Sequence, residues 1–477
     1  MVGEPVHDRV RHVPAKDGGF RRRHRRHGRR HRRRADVEAG RLAVRLLRRA
    51  GQAVHRLHDH VHDLRAGLPG RVGADEGAGA ALQGNHGPVI RPALLALALA
   101  GAASVAHGAD TRIATRPYGT TAAGQAVEQV TLTNARGMTL SYIDYGATIT
   151  GATVADRQGR RANVVLDLPD LAAYERGRAK HAAIIGRYAG RIGKARYTLD
   201  GKTVELIPNA RGMTVHGGPD GYEKRVWRRR DFADKASIGS VYTLVSPDGD
   251  QRFPGTLTIE VTYRLQRARD EFSIEYAART DAPTVVNLTN HGYFNLAGAG
   301  SGGLATHRFC IAAERYAVTD DVRVPTGELA SVAGTPLDLR RPTDITPLLA
   351  KPEGALAPPQ GFDHSYVFDQ PAGQLVRAAV IDDSASGRRM EIFTTEPSAQ
   401  FYTANGFDGV ERGSTGQPYR KHDAFAFETQ HLPDSPNQSA FPSTALYPGQ
   451  VMRSVTTFRF GVAPARTDFS PCTSAPR

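Results

Sequence analysis

From about Thr111 onward the chain is written in short alternating segments. Thr256 to Leu265 is the clearest: Leu257, Ile259, Val261, Tyr263 and Leu265 are apolar between Thr, Glu and Arg, the period-2 pattern of a half-buried strand. Phe272 to Ala278, Met390 to Thr394 and Val455 to Val462 repeat it. Asp200-Gly201, between Ala195 to Leu199 and Lys202 to Ile207, predicts a tight hairpin, and Asp248-Gly249 is a second turn signal. No long stretch here carries a 3.6-residue period with caps, and no repeat of fixed period emerges. Many short strands with almost no helices predict an all-β protein, a large antiparallel β-sandwich closed by long loops.

The residues before this region have a different texture. Arg21 to Arg34 holds ten Arg and three His in fourteen positions, a run that repels itself and cannot build a core. Clustered guanidinium groups would suit phosphates, but no aromatic residue interleaves them to stack bases. Leu42, Leu46, Val54, Leu57, Val61 and Leu64 recur at roughly helical spacing among Arg and His, as in a membrane-surface helix. From Val89 an apolar run follows the single Arg91 and ends in small residues around Ala106-His107-Gly108, which resembles a secretory signal peptide and is too short for a comfortable transmembrane helix. No Met lies between Met1 and Met138, so a start near Val89 would place that signal at an N-terminus. The expected organisation is residues 1–88 as upstream translation or a disordered basic tail, 89–108 as the signal-like segment, and 109–470 as the sandwich. Such a protein is periplasmic or secreted, and cytoplasmic if the segment is not used.

Charge follows the same boundary. Of the formal net charge of +15, residues 1–90 carry +11, with 20 Lys/Arg against 9 Asp/Glu, which leaves +4 for the remaining 387 residues. A near-neutral body gives no electrostatic reason for a nucleic-acid partner and suits an uncharged ligand. The two cysteines, Cys310 and Cys472, form no C-x-x-C or zinc-like cluster, which argues against thiol chemistry and structural zinc. In an exported protein they could pair; spacing alone does not decide it.

Five segments gather Gly, His, Asn and carboxylates in what read as loops between strands. The first is Gly186-Arg187-Tyr188-Ala189-Gly190-Arg191-Ile192-Gly193, where glycines allow close backbone approach and Arg offers a fork of donors. The others are Val215-His216-Gly217-Gly218, Asn287 to Gly298, Gly361-Phe362-Asp363-His364, and Phe425 to Asp434. His291 sits among Asn287, Thr289 and Asn290 between apolar positions, where buried polar groups must find partners. Asp363 reads either as a turn residue or as a site carboxylate. Glu428 follows Phe425 and Phe427: it is either an exposed strand-end residue or a desolvated carboxylate with its pKa raised toward that of a useful base.

The pieces G-R-x-A-x-R-I, H-G-G, N-L-T-N-H-x-Y-F-N-L-A-G, G-F-D-H, Q-F-Y-T and E-T-Q, in this order, resemble the galactose mutarotase (aldose 1-epimerase) family over about Gly124 to Val462. The resemblance implies that family's large β-sandwich, with His291 as general acid, Glu428 as general base, and Arg191, His216, Tyr293, Asp363 and Gln400 as sugar-binding residues. Two positions depart from it. Gly190 stands where Asn is common, which leaves one sugar hydrogen bond unaccounted for, and Gly292 stands where Ser is common.

The implied reaction removes the proton of the C1 hydroxyl while protonating the ring oxygen, so that the ring opens to an aldehyde and re-closes on the other face. Each positioned proton transfer is worth ~10² to 10⁴-fold, and no step needs a metal, cofactor or covalent intermediate. Rival readings are a non-catalytic carbohydrate-binding or sugar-sensing protein on the same fold, and a glycoside hydrolase using Asp363 and Glu428. A hexose-phosphate epimerase would want extra basic residues in the site. The sequence does not select one aldose or an oligomeric state.

Overall fold

The computed structural model describes residues 111–464 and residue 472, so the expectations for residues 1–108 lie outside the described residues. Five strands, Arg112–Thr120, Ala126–Thr133, Thr139–Ile143, Thr148–Ala155 and Arg161–Asn163, form an antiparallel meander in chain order. An eight-stranded antiparallel sheet runs Arg228–Ala233, Ser237–Ser246, Leu257–Gln266, Glu271–Thr280, Met452–Val462, Arg388–Thr394, Val376–Asp383 and His307–Ile311. A six-stranded antiparallel sheet, the site sheet, runs Tyr293–Phe294, Phe425–Gln430, Ser398–Tyr402, Asp363–Val367, Arg315–Thr319 and Pro325–Ser331. Two short α-helices, Leu171–Arg176 and Thr346–Ala350, are the α-helices among the described residues. This is the antiparallel, strand-dominated architecture the alternation predicts.

The strand Leu257–Gln266 buries Leu257, Ile259, Val261, Tyr263 and Leu265 and leaves the intervening residues partly or fully exposed, as its period requires. At Asp200-Gly201 both residues have positive φ, 50° and 74°, and pair Arg196–Leu199 with Lys202–Glu205. The hairpin is shorter than its apolar pattern, because Ala195 closes a 3-10 turn. Asp248-Gly249 does not make a tight hairpin: a further 3-10 turn, Asp250–Arg252, follows it before the next strand.

The site sheet and the eight-stranded sheet share one apolar core. Phe401, Phe425 and Phe427 point to it from the site sheet, and Phe294 stacks on Phe458 of the larger sheet at 5.4 Å. Burying each such ring contributes about 1.5–3 kcal/mol. Because side chains alternate, the residues between these phenylalanines must point the other way, and that opposite face is polar.

Candidate active site

Register across the site sheet gathers the polar face. Gln400 pairs with Glu428 on one side and Ser365 on the other, while Tyr402 pairs with Ala426 and Asp363. Gln400, Glu428, Tyr402 and Asp363, with Gln430 two residues beyond Glu428 and Tyr293 opposite Ala426, line one wall of a cavity of about 350 Å³. That volume is at the small end of the range for small-molecule sites. Four of the candidates thus stand on this sheet rather than in loops, and Arg191 opens a short strand of its own, Arg191–Ile192. Asp363 is no turn residue: it opens the strand Asp363–Val367. Glu428 is no exposed strand end, since the whole strand Phe425–Gln430 is buried.

The other wall comes from strand ends. Val215 pairs with Arg191, and His216 N donates to Gly190 O at 2.8 Å, which sets Arg191 and His216 side by side. Gly190 N in turn donates to His216 Nδ1 at 3.3 Å, so the protonated nitrogen of a neutral His216 is Nε2. His291 is pinned by its backbone: its N donates to Ala183 O at 3.0 Å and its carbonyl accepts from Ala182 N at 2.9 Å. Its ring lies 4.9 Å from Tyr293 and 5.3 Å from His216, centre to centre. All seven residues inferred from the sequence line the cavity. Arg187 of the first motif does not. It is buried beneath the site with its guanidinium on the carbonyls of Pro254 and Gly255 and on Ser246, a structural clamp.

His291 Nε2 lies 3.4 Å from Glu428 Oε1, and both groups are buried. Burial, reinforced by the Asp363 charge, raises the Glu428 carboxyl to about 8. Burial also lowers His291 to about 3, and lowers His216 well below its usual range. Asp363 differs: burial pushes its carboxyl up, but the guanidinium groups of Arg191 and Arg323 and the Gln400 amide outweigh it and hold it below the usual carboxylate range. The contacts are 3.2 Å from Arg191, 2.8 Å from Arg323 and 2.6 Å from Gln400 Nε2. Ser365 Oγ donates to Gln400 Oε1 at 2.5 Å and so orients that amide. Of these two carboxyls, Asp363 is therefore kept ionised and Glu428 is poised to carry a proton.

Arg323, Tyr402, Phe407 and Gln430 also line the cavity and were not singled out from the sequence. Tyr402 and Gln430 follow from period-2 extension of Gln400 and Glu428. Arg323 sits in a turn at φ 67°, and nothing local marks it. Gly292 is explained by packing: a Cβ there would fall 2.9 Å from Phe294 and 3.0 Å from Asn290 Oδ1, so this chain has no room for Ser beside its acid candidate. Donor atoms of His216, His291 and Glu428 lie within 4.8 Å of one another, a set that could hold a divalent ion; the same atoms are those placed to move protons.

The chain matches the family described as aldose 1-epimerase over residues 128–459. It is 39% identical to the galactose mutarotase of Rattus norvegicus over 340 residues, covering 71% of this chain and 96% of that protein. It is 35% identical to the aldose 1-epimerase of Escherichia coli (strain K12), with the same two coverages. Among solved structures, an aldose epimerase homologue from C. elegans superposes with a TM-score of 0.63 at 27% identity, covering 70% of this chain and 98% of that one. The galactose 1-epimerase of Lactobacillus acidophilus shares the fold with a TM-score of 0.66 at 24% identity, over 74% of this chain and all of the other.

Proposed function

The chain belongs to the aldose 1-epimerase family and is an isomerase of carbohydrates, and we propose that it interconverts the α and β anomers of free aldohexoses with His291 and Glu428 as its acid and base. The observation that carries the assignment is the His291–Glu428 pair at 3.4 Å on the cavity wall. Glu428 takes the proton of the C1 hydroxyl, and His291 gives a proton to the ring oxygen. The bond from C1 to the ring oxygen breaks with its electron pair going to that oxygen, and the C1 carbonyl forms. Rotation about the bond from C1 to C2 presents the other carbonyl face, and the same transfers in reverse close the ring.

Burial favours the proton on Glu428 in the empty site, so the working form requires it on His291 when sugar is bound. The move is internal and leaves the net charge of the site unchanged. Asp363, held ionised by Arg191 and Arg323, accepts from sugar hydroxyls, and Arg191 and the neutral His216 Nε2 donate to them; the bonds to the charged Asp363 and Arg191 are worth about 1.5–3 kcal/mol each. Gln400 orients Asp363, and the Tyr293 ring packs against His291. A hydrolase reading is disfavoured because Asp363, tied to two guanidinium groups, is a poor proton carrier or nucleophile. Polarimetry of freshly dissolved α-glucose and α-galactose beside a nitrophenyl glycoside tests this. Accelerated mutarotation without release of nitrophenol is expected; release of nitrophenol without accelerated mutarotation would overturn it.

Export to the periplasm or the exterior is proposed on two grounds: the signal-like residues 89–108, and the bond joining Cys310 to Cys472, since such bonds persist in oxidising compartments. Mass spectrometry of the native protein would find its N-terminus near residue 109. Peptides from residues 83–91 in the mature protein would contradict this.

A further inference from the structure

One polar atom on the cavity wall has no hydrogen-bond partner among the described residues. Gln430 lies on the same strand face as Glu428, is 1% exposed, and has its backbone fixed by Ser398 Oγ, which donates to the Gln430 carbonyl at 2.6 Å. Its side-chain Oε1 is buried without a hydrogen-bond partner among the described residues. Buried amide oxygens are rarely left so, and this one belongs to a side chain that lines the cavity, where a ligand could meet it. The other end of the amide, Nε2, lies beside Gly190, at φ 78°, where a Cβ would come within 2.9 Å of Pro433 and 3.3 Å of Gln430 Nε2. Gly190 therefore brings no side chain to this part of the wall. The Gln430 amide occupies that space, beside the loop that orients His216 and carries Arg191.

We infer that Gln430 is a sugar ligand, its unpartnered amide oxygen accepting a hydrogen bond from a ring hydroxyl in the cavity. This rests on the anomer-interconverting reading of the same cavity. Two residues along a strand from Glu428 is a spacing of about 7 Å, so the amide meets a hydroxyl remote from C1 and takes no part in proton transfer. Its role is binding and the selection of sugars that carry that hydroxyl. A site built to pair with a hydroxyl discriminates against the analogue lacking it, because the protein group is then left unpaired.

The test is polarimetric kinetics of the wild type, Gln430→Met and Gln430→Ala on glucose, galactose and their 2-, 3-, 4- and 6-deoxy analogues, with thermal melts of each protein. Both variants should raise KM for the parent sugars roughly 2- to 12-fold with kcat little changed, the magnitude of one neutral hydrogen bond. For one deoxy analogue the wild type should already show that loss and the variants should add nothing. Met keeps the bulk of Gln, so a KM rise shared by Met and Ala separates the lost hydrogen bond from lost packing. Unchanged KM in Gln430→Met, or a penalty equal on every deoxy sugar, would overturn the assignment while leaving the epimerase reading in place. Absence of mutarotation by the wild type would overturn both.

Discussion

His291 and Glu428 face each other at 3.4 Å, and burial acts on them in opposite directions, lowering the imidazole to about 3 and raising the carboxyl to about 8. Between those limits the pair holds one proton. With two protons no base remains for the C1 hydroxyl; with none, nothing protonates the ring oxygen. The pH profile of kcat/KM should therefore be flat near neutrality, fall in acid only toward pH about 3, and fall in alkali through pH about 8. Polarimetry at constant ionic strength, corrected for the uncatalysed rate, measures it. A rate that keeps climbing beyond pH about 9 would contradict a shared-proton pair.

Glu428→Gln separates catalysis from stability. The variant loses the base, so mutarotase activity should fall by at least the ~10² that a positioned proton transfer supplies, while sugar binding stays measurable by titration calorimetry. Its melting temperature should rise. The folded carboxyl, raised to about 8, holds a proton that the unfolded one, at its ordinary value of about 4.5, releases at neutral pH. Stability from this group is thus full below pH about 4.5 and declines up to pH about 8, a cost on the order of 3 kcal/mol at pH 7. Gln carries no such cost. The difference in melting temperature between wild type and variant should shrink at pH 4.5; equal melting temperatures at pH 7 would argue against a desolvated Glu428.

Arg323 shares the Asp363 carboxylate with Arg191, at 2.8 Å and 3.2 Å. Arg323→Ala should let burial act on Asp363 with less compensation, so its pKa rises and its affinity for sugar hydroxyls falls. KM should rise about tenfold, within the range for a hydrogen bond to a charged group, with a smaller change in kcat. The loss should grow as the pH falls, because burial, less opposed by positive charge, favours the protonated carboxyl. A kcat effect larger than the KM effect would place Arg323 in the chemistry instead.

These assignments show what the sequence could and could not yield. Strand Leu257–Gln266 was readable because one face meets the core and the other does not, so its pattern is local. His291 and Glu428 were reachable through their ordered motifs, although alternation alone left Glu428 ambiguous. That it faces a cavity depends on pairing with Gln400, a long-range register that no single strand encodes. Arg323 reaches Asp363 across 40 positions from a turn without a signature, which only the folded chain reveals. The same holds for the join of Cys310 to Cys472 across 162 positions.

That bond supports the last prediction. Cys310 lies in the strand His307–Ile311, the edge of the eight-stranded sheet, and Cys472 N donates to Arg340 O at 2.8 Å beside it. The bond therefore ties residue 472 to a strand that pairs with Val376–Asp383 on one side and meets the backbone of Leu339 and Thr343 on the other. Closing so long a loop restricts the unfolded chain, so reduction, or Cys310→Ser with Cys472→Ser, should cost about 2–4 kcal/mol and lower the melting temperature by several degrees. Activity of the folded protein should not change, because neither cysteine lines the cavity. Melting with and without reductant, together with thiol counting on the unreduced protein, measures both points. Two free thiols in protein purified from an oxidising compartment, or equal melting temperatures on reduction, would show that this edge is held without the bond.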